Sequence, residues 1–291
     1  MAGLGRHSAL GTRHSDMSII EAVVLGLVQG LTEFIPVSST AHLEIVPVLL
    51  GWGDPGAAAS AVIQFGTWIA ALIYFARDIV RLIGGFFRGL ATRRPLEDTD
   101  SREAWLVVIG TIPIVILGLA LKKYIESTFR GLWVITTMVI VVAILLWLSE
   151  QYAKRQQLRT FEQMTVADAA VIGIGQCLAL IPGSSRSGST IMPALFRGID
   201  RPTAARYSFL LSIPAVGAAG FLELFKERHH LGELGWTSIV ISIVVSFIFG
   251  YASIWFLIRY LKTHTTAIFI YYRLALGVLM IALLASGYIK A

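Results

Sequence analysis

Gln29-Gly-Leu-Thr-Glu-Phe-Ile-Pro-Val-Ser-Ser-Thr-Ala-His42 and Gln176-Cys-Leu-Ala-Leu-Ile-Pro-Gly-Ser-Ser-Arg-Ser-Gly-Ser-Thr190 read as two copies of one pattern in a single chain. Each runs from Gln through an apolar helical turn to Ile-Pro-x-Ser-Ser. Setting Pro36 against Pro182 superimposes Ser38-Ser39 on Ser184-Ser185, with a one-residue slip before the proline. The first copy carries an acid and an imidazole, Glu33 and His42; the second carries a guanidinium, Arg186. Such a pair binds an anion on one side and does proton chemistry on the other.

The chain around them is 56% hydrophobic and 14% charged, with a mean hydropathy of +0.73. A soluble domain carries about a quarter of its residues charged, so this is a polytopic membrane protein of the all-α class. Six segments reach the ~20 apolar residues that a crossing takes: roughly 57–80, 104–122, 132–150, 203–223, 236–258 and 267–288. Residues 19–50 and 166–199 hold two shorter apolar pieces each, broken by Pro, Ser and Gly. Broken backbone at membrane depth survives only where protein or a water-filled cavity surrounds it. Each is therefore expected to be a re-entrant helical hairpin with the polar motif at its tip. Hairpin plus three spans, twice over, makes an inverted-topology repeat, 17–151 and 152–291, with a site near the midplane. Residues 1–16 read as a disordered extension.

The net charge of +6 is no nucleic-acid signal, because Lys and Arg lie in the loops, where they orient the chain and meet anionic lipid headgroups. The richer side, which includes Arg77, Arg81, Arg88, Arg93, Arg94 and Arg102, is expected to be cytoplasmic. Loop 88–103, with Glu97, Asp98, Asp100 and Glu103, reads as a solvated loop on that side. The lone Cys177 excludes an intramolecular disulfide.

Gln29 and Glu33 are four apart and share a helix face. An intramembrane carboxylate is a functional-site hypothesis by default, here as metal ligand or proton acceptor. Carboxylate, amide carbonyl and phosphate oxygen together suit Mg²⁺ or Ca²⁺. The plainer alternative pairs Glu33 with Arg186 for packing. If a helix starts near Ser38, Ser39 and His42 are neighbours three apart, and His is the usual base for a Ser nucleophile. The other serine, Ser38, is expected to cap the helix, with Thr40 beside it. In the second motif Gly183 and Gly188 allow a turn of exposed N–H groups. The helix that follows offers its N-terminus to phosphate. Arg186 adds a fork for two oxygens, and Ser184, Ser185, Ser187 and Thr190 add hydroxyls. Gln64 and Arg273 are expected to line the same cavity.

The paired motifs, together with Ser208-Phe-Leu-Leu-Ser-Ile-Pro214 and Tyr272-Arg273, closely resemble the bacterial undecaprenyl-diphosphate phosphatase family of the bacitracin-resistance type. The resemblance covers the chain from Met17 on. It implies a hydrolase of the cytoplasmic membrane, its site opening to the outer, periplasmic face. It also implies a polyprenyl diphosphate lipid as substrate, recycled for peptidoglycan synthesis, and a divalent cation as cofactor. By motif position Glu33 is the acidic residue, Ser39 the candidate nucleophile, His42 the acid/base and Arg186 the phosphate clamp, with attack by a water held by Glu33 or His42 as the alternative to Ser39. The chain departs from the family pattern at Gln29 and Arg206, where many members carry Glu. A flippase for a phosphorylated polyprenyl lipid is the alternative reading, since transport needs only the anion site. Membrane lipids are partners, nucleic acid is not, and a homodimer is left open.

The basic-residue count generates a topology prediction. A reporter fused after Ala291 should be found outside the cell, and protease added to sealed cells should spare loop 88–103. Cleavage of that loop would invert the assignment.

Overall fold

The computed structural model describes residues 17–52, 56–121, 124–125, 129 and 131–289; the expected extension at 1–16 lies outside them. Among the described residues the chain is helical, apart from a single bridge between Arg159 and Ile199. Six helices are long and apolar enough to cross a membrane. They are α3 (Gly56–Tyr74), α5 (Thr99–Ala120), α6 (Leu132–Ala153), α9 (Arg201–Glu227), α10 (Trp236–Tyr260) and α11 (Ala267–Ala285).

The two motif regions fold as pairs of short helices. The first is α1 (Ile19–Thr32) with α2 (Ser39–Leu49). Ser18 and Glu21 start α1 with a reciprocal capping box. The second pair is α7 (Val166–Gln176), tightened by a 3₁₀ turn at Cys177–Leu180, with α8 (Arg186–Phe196). Thr165 and Asp168 form the same capping box on α7. Asp168 is fully buried and takes hydrogen bonds from Arg159 and Arg197, which fasten the end of α8 to the start of α7.

The first helix of each pair packs along a long helix far away in sequence, α1 on α10 and α7 on α5. Small residues make both approaches possible. Gly26 and Gly30 face Ser242, Ser246 and Gly250, both rows at the spacing of four that lets apolar helices touch backbone to backbone. A Cβ on Gly30 would sit 2.7 Å from Phe249 Cβ, and one on Gly173 only 2.5 Å from the Gly110 carbonyl oxygen.

Two expectations are corrected. The segment at 57–80 is not one span: α3 ends at Tyr74, and after a break at Phe75 a separate amphipathic helix, α4 (Ala76–Thr92), begins. The charges that start there explain the break, because they need partners outside an apolar layer. The solvated loop expected at 88–103 is shorter, an exposed turn at 93–98 between two helix ends. Most of the segment is helix, and its acids complete an ion-pair cluster: Arg81 binds Asp100 at 2.5 Å and also Glu103, which is buried, while Arg88 binds Asp100 at 2.9 Å.

Gly173→Val is expected to destabilise the protein by about 1–3 kcal/mol or more, as overpacking does, and so to lower the melting temperature in detergent. Gly84→Ala, where nothing lies within 4 Å, should leave that temperature level or raise it. Equal melting of the Gly173→Val variant and the native chain would contradict the close α5–α7 contact.

Candidate active site

Each motif turns on a serine in an unusual conformation. Ser38 caps α2 at φ 76°, ψ 94°, and Ser185 caps α8 at φ 65°, ψ 115°. Positive φ is sparsely populated for any residue with a Cβ. The side chains act as caps, Ser38 Oγ accepting from the Ala41 N–H at 3.4 Å and Ser185 Oγ from the Gly188 N–H at 3.2 Å. Both capping serines lie nine residues beyond their glutamine. The structural match is therefore Ser38 with Ser185 and Ser39 with Arg186, one position away from the match made on the prolines. The slip disappears once the glutamines are aligned.

Glu33 is the hub. Its Oε2 accepts from Ser39 Oγ at 2.7 Å and from Gln29 Nε2 at 3.0 Å, and its Oε1 accepts from Arg186 Nη2 at 3.2 Å. Arg186 also donates through Nη1 to the Ser208 carbonyl at 3.3 Å, and its buried Nε–H has no partner. Both side chains of the ion pair are under a tenth exposed, at 8% and 9%. A guanidinium carries five N–H donors in a fixed fork. Two are used here, so Arg186 keeps capacity for an anion.

The expected Ser39–His42 pair does not form. His42 Nδ1 lies 2.7 Å from the Ser38 carbonyl oxygen and Nε2 lies 2.6 Å from the Tyr272 hydroxyl, so both ring nitrogens are engaged elsewhere. The hydroxyl partner of Ser39 is Glu33.

A cavity of about 200 Å³ opens between the two turns. Glu33, Ser38, Ser39, Thr40 and Gln64 line it from the first half of the chain, and Gly183, Ser185 and Arg186 from the second. Gly183, at φ 91°, admits no side chain, since a Cβ would meet the Ile135 carbonyl oxygen at 2.3 Å. The remaining predicted residues stand behind this wall. Ser184 donates to the Ile181 carbonyl, Ser187 is buried 3.1 Å from Ser185 Oγ, and Thr190 donates to Ser208 Oγ. Gly188 supplies the capped N–H. Arg273, expected in the cavity, is fully buried behind it, and donates to the carbonyls of Pro36, Met138, Val139 and Gly183.

The profile of the bacitracin resistance protein BacA family matches residues 22–279. The chain belongs to the bacitracin resistance protein family. Proteins named undecaprenyl-diphosphatase resemble it along nearly their whole length. That of Chlorobaculum tepidum is 47% identical over 280 residues, covering 94% of this chain and 99% of its own. That of Chloroherpeton thalassium is 50% identical, covering 94% and 100%. That of Myxococcus xanthus is 53% identical, covering 93% and 91%.

The family resemblance implies a divalent cation. Among the described residues no three His, Cys, Asp or Glu side chains gather as a cage. Glu33 offers about four acceptor sites, of which three are filled. Gln29, expected as a second ligand, is buried behind Glu33 and does not line the cavity, so the fit is to a cation carried in on phosphate oxygens with Glu33 as its one protein carboxylate, as Mg²⁺ is held by one or two carboxylates plus substrate phosphates.

Sequence reasoning missed Tyr272 as the partner of His42, and the apolar wall formed by Ile114, Ala215, Val216 and Ala219. A hydroxyl next to Arg273 in an apolar segment was the available signal for the first. Nothing local marked the second, which depends on how α5 and α9 approach.

Arg186→Lys keeps the charge opposite Glu33 and loses the fork. Turnover is expected to fall about a hundredfold, the scale of one lost donor to a developing oxyanion, with the protein still folded by thermal melting. A variant within threefold of wild type would contradict the clamp.

Proposed function

We propose that this protein hydrolyses undecaprenyl diphosphate to undecaprenyl phosphate and inorganic phosphate, the activity named by its relatives. The observation that carries the reading is the Ser39 hydroxyl donating to Glu33 at 2.7 Å, beside a buried guanidinium with unspent donors. Transport of a phosphorylated lipid would need the guanidinium alone.

Ser39 Oγ attacks the terminal phosphorus while Glu33 takes its proton, within the 2.6–3.2 Å reach of a general base. The bond from phosphorus to the bridging oxygen breaks, and Glu33 passes the proton to the departing lipid phosphate. Water then attacks the phosphoserine, Glu33 takes the proton from that water, and Ser39 Oγ leaves carrying a proton again. Arg186 and the N–H groups of the second turn hold the phosphoryl oxygens through both steps. Glu33, oriented by the Gln29 amide, would hold a divalent cation, which would supply further neutralisation of the diphosphate charge. The walls formed by Ile114, Leu180, Ile181 and Val216 are apolar. They suit the first isoprene units, and the rest of the tail remains in lipid.

Each half is read as a re-entrant hairpin and three spans of opposite topology. Two observations support this: the matched glutamine-to-cap spacing, and the exchange by which α1 packs on α10 and α7 on α5. The site is read as opening to the outer face of the cytoplasmic membrane, opposite the side rich in basic residues.

Purified protein should release inorganic phosphate from a polyprenyl diphosphate in detergent, and chelator should suppress the release. Ser39→Ala should cost at least about a hundredfold in kcat, as loss of a covalent nucleophile does. No release by wild type would overturn the hydrolase reading, and a Ser39→Ala enzyme within tenfold of wild type would remove Ser39 as nucleophile.

A further inference from the structure

The chain of contacts behind Ser39 gives His42 a different duty from the acid/base role that the family resemblance implies. A carbonyl oxygen can only accept, so the 2.7 Å contact between His42 Nδ1 and the Ser38 carbonyl places the ring proton on Nδ1. Nε2 is then bare and accepts from the Tyr272 hydroxyl at 2.6 Å. The two rings are nearly parallel, 8° apart. The tautomer is set by the Ser38 carbonyl, which can only accept; the Tyr272 hydroxyl, which can donate or accept, adapts to it and holds the other edge of the ring.

Ser38 is where this matters. It stands at φ 76°, a conformation that persists only when its surroundings impose it. Its carbonyl is held by His42, and two residues earlier the Pro36 carbonyl is held by Arg273 at 3.3 Å. Tyr272 and Arg273 are neighbours on α11, so one helix grips the first turn at two points. The same guanidinium holds the Gly183 carbonyl of the second turn at 3.0 Å. Ser39 follows Ser38 directly, and its hydroxyl meets Glu33 only while Ser38 keeps its conformation.

We propose that Tyr272 is a positioning residue that acts through His42. Its hydroxyl donates to Nε2 and holds the imidazole in place, the held ring keeps Nδ1–H on the Ser38 carbonyl, and the pinned turn aims Ser39 at Glu33. His42 itself moves no proton in the reaction. The proposal rests on the reading of Ser39 as the attacking group.

The test exploits amide geometry. Asn at 42 places an N–H near the position of Nδ1; Gln places its amide near Nε2 and leaves the Ser38 carbonyl only the longer bond from the backbone N–H of residue 42, at 3.4 Å. His42→Asn is expected to lose less than about tenfold in kcat. His42→Gln should lose about a hundredfold, the scale of a misplacement near 1 Å. KM should be level in both. Tyr272→Phe should lose about tenfold in the native background and less than twofold when combined with His42→Asn, since Asn has no atom at the Nε2 position for the hydroxyl to hold. Melting temperatures in detergent identify any variant that fails to fold. Independently of turnover, ¹⁵N spectra of histidine-labelled protein, assigned with His42→Asn, should show His42 protonated at Nδ1, and Tyr272→Phe should shift the Nε2 resonance.

The proposal is overturned if His42→Asn is as inactive as His42→Gln, if Tyr272→Phe keeps its full effect beside His42→Asn, or if Nε2 carries the proton in wild type. Wild-type protein that releases no phosphate would count against the hydrolase reading, and the spectra would still decide the tautomer.

Discussion

Glu33 and Arg186 face each other at 3.2 Å across the join between the two sequence motifs, each almost out of solvent. Neither charge is tolerable there alone. Desolvating a single ion costs several kcal/mol, and removing one partner of such a pair typically costs about 3–5 kcal/mol. The pair therefore demands that the two turns meet, and the long helices must deliver them to one place. The contact also divides labour within the site. Glu33, flanked by Gln29, Ser39 and Arg186, stays an acceptor. Arg186, with Nε unpartnered, stays a donor with room for an anion.

Two guanidiniums lie close to the turns, and their surroundings separate them. Arg273 is fully buried and donates to four backbone carbonyls, two from the turns and two from α6. It is a clamp for backbone, with little left for a ligand. Arg186 lines the cavity and has donors to spare. The difference is one of hydrogen-bond accounting: in a low-dielectric site, filled donors fix structure, and unfilled ones bind whatever anion enters.

Much of this was legible in the sequence, because long apolar segments and intramembrane polar residues are strong signals. All six long apolar helices fall where hydropathy placed them, except that the first is cut short at Tyr74, beyond which Asp78 and Arg81 turn to partners outside the apolar layer. Glu33, Ser39, Thr40, Gln64, Gly183, Ser185 and Arg186 do meet at one cavity. What failed were inferences from spacing alone. Ser39 and His42 are three apart on a helix, but the ring folds back onto the Ser38 carbonyl, a local side chain-to-backbone bond that spacing does not reveal. The proline alignment was one residue out because caps, not prolines, define equivalent positions. Arg273 was polar at depth for a reason of its own, satisfying carbonyls that the two turns expose.

In the proposed mechanism Ser39, relieved of its proton by Glu33, takes the phosphoryl group before water does. Stereochemistry at phosphorus tests this most directly. A polyprenyl diphosphate whose terminal phosphorothioate is made chiral with oxygen isotopes would be hydrolysed in isotopic water, and the configuration of the released thiophosphate determined. Two in-line displacements through a phosphoserine give net retention, which is the result predicted here. Inversion would mean a single attack by water and would contradict the account.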